Sequence, residues 1–118
     1  MVLTREKLYT RVEKALRTRF TRFDGWYLED RGKEGPDFIF TLAFKNRWQK
    51  VICLVNRESE LSPGILVKMR QYEKDVAGKD VTIFARIIAL SDDVSISADL
   101  QKRLEKEGVE LLRIPSAP

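Results

Sequence analysis

The sequence predicts an α/β fold: a mixed β-sheet flanked by helices, in the order α-β-β-β-α-β-α-β. Three observations carry this expectation. Apolar residues recur at helical spacing over residues 4–20 and again after residue 62. Residues 37–44 alternate with the period of a strand. Two nearly continuous apolar runs, 49–56 and 81–90, have the length of strands covered on both faces. Strands that alternate with helices in the second half of the chain call for crossover connections, which lay helices on the faces of the sheet.

Each element has its own signal. Over residues 4–20, Leu8, Val12, Ala15, Leu16 and Phe20 form one stripe; Thr4 can cap the helix, and Glu6 suits its positive end. A short strand is expected over 25–28, then a polar loop over 29–35 that Pro36 closes. In the next strand Phe38, Phe40, Leu42 and Phe44 point one way, and Asp37, Ile39, Thr41 and Ala43 the other. Lys45-Asn46-Arg47 makes a tight turn into the strand 49–56, and Trp48 is expected to cover the sheet edge. Ser62-Pro63 starts a helix with proline at its first helical position, Ile65, Met69, Tyr72 and Val76 as its apolar stripe, and Gly78 at its end. After the strand 81–90, Ser95 or Ser97 caps a last helix that buries Leu100 and Leu104 and closes at Gly108. The final strand, 109–114, stops at Pro115.

A chain of 118 residues suffices for one domain with a real core, and residues 1–118 read as a single unit. The charged fraction, 34%, exceeds the usual quarter and with the absence of His suggests a heat-adapted source. The lone cysteine, Cys53, cannot form an internal disulfide, which favours a reducing, cytoplasmic setting; it sits in an apolar strand as a buried thiol. No apolar run reaches the roughly 18 residues of a membrane span. The Arg-rich start faintly resembles a presequence, but Glu6 and Glu13 interrupt it and the core needs this helix.

Charge placement is more informative than the net charge of +4. Residues 1–23 hold Arg5, Lys7, Arg11, Lys14, Arg17, Arg19 and Arg22 against Glu6 and Glu13, so the positive excess lies in the first segment. Lys7, Arg11 and Lys14 repeat at i, i+4, i+7, where like charges repel unless a polyanion or salt relieves them. A solvated helix face is the alternative reading of the same stripe. Several chemistries are excluded. Without His there is no imidazole base, one Cys makes no cysteine-type zinc site, and Gly32, Gly35 and Gly64 lack the spacing of a phosphate loop. Neither Ser62 nor Ser91 has a neighbouring base in sequence to activate it.

The element order, Pro36-Asp37 at the mouth of the second strand, and a helix with Lys68 and Gln71 directly after the third make residues 4–90 similar to the PD-(D/E)xK, or restriction-endonuclease-like, superfamily. Archaeal Holliday-junction resolvase-type nucleases belong to it. The resemblance implies a divalent metal, Mg²⁺ or Mn²⁺, held by Asp37 and by the acid of an acid-x-Lys pair on the third strand, whose lysine helps the hydroxide form or neutralises charge. Acid and lysine lie two residues apart so that both side chains face the metal. In this chain those positions hold Leu54 and Asn56, which can supply neither carboxylate nor ammonium. A relocated site would use Asp37 with Glu58 or Glu60, plus Lys68, with Glu13 as an additional ligand.

Three functions follow as expectations. The first is a nucleic-acid-binding protein, or a non-catalytic subunit of a DNA- or RNA-processing assembly, whose metal site has degenerated. Lys7, Arg11, Lys14 and Arg17 would track phosphates, with Arg31 and Lys33 approaching from the loop before Asp37, and DNA is favoured over RNA. The second is a metal-dependent endonuclease rearranged around Asp37. The third is a scaffold that binds protein only. Many nucleases of this superfamily are two-fold symmetric, which makes a homodimer an expectation.

Overall fold

A computed structural model describes residues 5–21, 25–29 and 36–115. Thr4, Arg31 and Lys33, and with them most of the loop before Pro36, lie outside the described residues. The elements are α1 (Arg5–Leu16), β1 (Tyr27–Leu28), β2 (Phe38–Phe44), β3 (Arg47–Val55), α2 (Gly64–Val76), β4 (Val81–Ser91), α3 (Ala98–Lys106) and β5 (Val109–Ile114). They build one five-stranded mixed sheet with spatial order β1-β2-β3-β4-β5. The first three strands are antiparallel; β3, β4 and β5 are parallel.

The two parallel connections run the same way along the sheet. Crossovers of one hand then place both of their helices on one face. Accordingly Leu66 and Met69 of α2 and Leu100 and Leu104 of α3 pack with Ile52, Leu54, Ile88 and Leu90. The opposite face is closed by α1, whose Leu8, Val12 and Leu16 pack on Phe38, Phe40, Val51, Cys53, Val55, Ile87 and Ala89. β3 and β4 therefore bury alternate residues into two different cores, which is why they are apolar on both faces.

Local chemistry sets the ends. Ser97 caps α3 by accepting the Leu100 N–H at 3.2 Å, and Gly108 takes φ +70 just beyond it. Lys45 and Asn46, at φ 46 and 66, form the two-residue hairpin turn between the paired Phe44 and Arg47.

Several sequence expectations are corrected. The first helix is α-helical only to Leu16, and Arg17–Thr21 continues it as a π-helical turn that seats Phe20 in the core. There Phe20 meets Trp26 and Phe40 at ring separations of 5.6 and 5.8 Å. Pro63 is the N-cap of α2 rather than its first helical residue, and the helix ends at Val76. The deepest apolar residue of its first turn is Leu66, with Ile65 at the margin. Trp48 does not cover a sheet edge. β3 is central, and Trp48 lies between Ala43 and Val81, 42% exposed.

The β3–β4 pairing also slips between Lys50 and Val51, so Phe84 is the extra residue of a bulge. Its ring lies 5.3 Å from that of Trp26. Trp26 is buried in the α1-side core, whereas Tyr27 is 47% exposed.

Candidate functional site

Asp37 directly precedes β2, whose first residue, Phe38, pairs with Cys53 near the end of β3. The antiparallel hairpin thus brings Asp37 to the carboxyl end of β3. That edge of a parallel strand set is where α/β sheets place ligands. A cleft of about 630 Å³ opens there. One wall is Asp37 with Val55, Asn56, Arg57 and Glu58; α2 supplies the other with Gly64, Ile65, Lys68 and Tyr72.

The Asp37 carboxylate is held by protein donors. Its Oδ2 accepts the Val55 N–H at 2.7 Å. Its Oδ1 accepts the Tyr9 hydroxyl and, at 3.1 Å, Nη2 of Arg57. The Arg57 guanidinium carbon sits 4.5 Å above the Tyr9 ring, a cation–π contact that fixes the plane of the guanidinium. Tyr9 is in turn fixed against Phe38, ring to ring at 5.8 Å. Arg57 therefore supplies a positive charge directly to the carboxylate at which the superfamily resemblance implies a metal.

Leu54 and Asn56, where the sequence resemblance expects an acid and a lysine, are both buried. Leu54 belongs to the α2–α3 core. Asn56 donates its Nδ2 to the Glu58 carbonyl at 3.0 Å, and its backbone N–H continues the sheet to Ala89 O at 2.8 Å. These residues anchor the strand end and the loop that follows.

The relocated ligand set is only partly assembled. Glu58 and Lys68 line the cleft with Asp37. Glu60 instead forms a backbone bridge with Ser95, and Glu13 pairs with Arg17 at 3.4 Å. Among the described residues no group of three His, Cys, Asp or Glu side chains comes together as a metal site. As arranged, the residues around Asp37 do not fit a divalent cation, because a guanidinium already neutralises the carboxylate. Sequence reasoning missed both Arg57 and Tyr9. The only sequence signal for Arg57 is a cation one residue past Asn56; Tyr9 carries none.

The basic residues of the first segment differ in setting. Lys7 and Lys14 are exposed on α1. Arg11 donates to the Pro115 carbonyl at 2.7 Å and ties the helix to the end of β5. Arg17 pairs with Glu13, and Arg19 makes a two-pronged contact with Glu110 that raises its own pKa, the hydrogen bond outweighing burial. Elsewhere, burial pushes the Glu29 carboxyl up, but hydrogen bonds to its Oε2 from Lys50 Nζ and Thr41 Oγ1, both 2.7 Å, hold it below its ordinary value. Ser91 is buried at the end of β4, and its Oγ has no hydrogen-bond partner among the described residues.

No protein-family model matches the sequence, and no curated protein matches it. Among solved structures, a repair endonuclease from Pyrococcus abyssi superposes with a TM-score of 0.54 at 19% identity, over 99% of this chain and 50% of that one. The chain spans about half the length of that protein. At this identity the likeness shows the fold, and the fold is nuclease-like. No described helix is long and apolar enough to cross a membrane.

Proposed function

We propose that this chain is a nucleic-acid-binding module derived from the PD-(D/E)xK nucleases, with an internal cation where those enzymes hold a metal. The observation that carries the reading is the Arg57–Asp37–Tyr9 cluster at the mouth of the cleft. Leu54 and Asn56, committed to the core and to the loop, support it. The nuclease-like fold and the exposed Lys7 and Lys14 favour a polyanion, and DNA in particular. The test is anisotropy of labelled linear and branched DNA across a salt series, in EDTA and in Mg²⁺. Binding that weakens with salt and is indifferent to EDTA supports the reading. Absence of binding to either DNA overturns it.

A second reading rests on one observation: Asp37, Glu58 and Lys68 line the same cleft. A metal-dependent endonuclease built on them requires Arg57 to leave Asp37. It predicts Mn²⁺-dependent nicking that Asp37→Asn abolishes.

A further inference from the structure

We infer that the cleft beside α2 is a metal-independent seat for one backbone phosphate of a nucleic acid, gripped by Arg57 from the strand side and Lys68 from the helix side. The inference deepens the nucleic-acid reading and rests on it.

Three features converge. First, Arg57 is oriented before any ligand arrives. Asp37 holds one of its nitrogens, the Tyr9 ring lies under its plane, and its side chain is still 32% exposed where it lines the cleft. A guanidinium carries five N–H donors in a rigid fork that matches a phosphate, and orientation in advance removes part of the entropy of binding. Asp37 acts as the positioning residue for it. Second, Lys68 faces the same cleft from α2, is exposed, and makes no ion pair among the described residues. Lys68 supplies the charge that draws an anion in, while Arg57, whose charge Asp37 offsets, supplies an oriented guanidinium on the facing wall. Third, the neighbouring lining residues are compatible with a phosphodiester: Ser62 and Tyr72 carry hydroxyls, and Gly64 opens α2 with no side chain of its own.

Glu58 also lines the cleft and opposes an anion. It separates this inference from a metal-based one, because the two assign it opposite signs. At a phosphate seat Glu58 repels the ligand; at a metal site it attracts the cation.

The experiment measures anisotropy of a labelled 20-base-pair duplex, in EDTA, against wild type, Arg57→Gln, Lys68→Ala and Glu58→Gln, with circular dichroism to verify folding. Lys68 is exposed, so its variant tests the seat even where Arg57→Gln unfolds. The expected result is about tenfold weaker binding for Lys68→Ala, with a salt slope shallower by about one ion, and a greater loss for Arg57→Gln. Glu58→Gln should bind about twofold to fivefold more tightly. Wild-type binding that all three variants leave unchanged overturns the seat and leaves the nucleic-acid reading standing. Binding that requires Mn²⁺ and is weakened by Glu58→Gln overturns the seat in favour of a metal. A wild type that binds no DNA overturns both.

Discussion

Nη2 of Arg57 lies 3.1 Å from Oδ1 of Asp37, an ion pair across twenty residues of sequence that joins the end of β3 to the entrance of β2. It closes the hairpin at the edge of the cleft, and Tyr9 brings α1 to the same carboxylate. Strand, hairpin and helix thus meet at one side chain.

Removing that carboxylate is expected to be costly. Asp37→Ala deprives the Val55 N–H, the Tyr9 hydroxyl and the Arg57 guanidinium of an acceptor together. A loss of about 2–3 kcal/mol is expected, since each hydrogen bond to a charged group is worth more than a neutral one. Urea denaturation of wild type and variant measures it, and a loss under about 0.5 kcal/mol would show that the cluster adds nothing to folding.

The β2–β3 turn offers the opposite sign. Lys45 holds φ 46, a left-handed conformation that costs a side-chain-bearing residue about 1–2 kcal/mol. Lys45→Gly removes that strain but enlarges the entropy of the unfolded chain, which returns part of the gain. A net stabilisation of about 0.5–1 kcal/mol is expected, read as a higher thermal midpoint.

Acid should weaken the β4 side of the molecule through Glu73. The hydrogen bonds from Arg86, one of them at 2.9 Å, outweigh burial and lower the Glu73 pKa from its ordinary 4.5. A depressed carboxyl pKa contributes stability that is full above the unfolded value and lost as pH falls through the folded one. Glu73→Gln should therefore be less stable than wild type at pH 7, and the two should converge in acid below 4.5. Melting curves from pH 7 to pH 3 test this; parallel curves throughout would dissociate Glu73 from the acid limb.

On α1, Lys7→Ala combined with Lys14→Ala should lower DNA affinity at low salt and flatten the salt dependence by up to about two ions, with circular dichroism to separate a loss of binding from a loss of fold. Both side chains are exposed. Unchanged binding and slope would mark the stripe as a solvated helix face.

Much of the fold was legible because its signals are local. The stripe of Leu8, Val12 and Leu16, the double-sided apolar runs of β3 and β4, the Ser97 cap and the Gly108 stop are each read within a few residues. Hydrophobic period and cap chemistry act at that range, so sequence determined where helices and strands form and which of their faces are buried. It also determined that Leu54 and Asn56 cannot be an acid and a lysine. Tertiary structure alone decided what surrounds Asp37. Arg57 reaches Asp37 only because β2 and β3 pair in one register, and Tyr9 reaches it only because α1 packs on that face of the sheet. The bulge residue Phe84 and Phe20 of the π turn both pack on Trp26, which joins distant segments of the chain. Contacts between residues twenty or more apart leave no period in a sequence, since they depend on how finished elements dock.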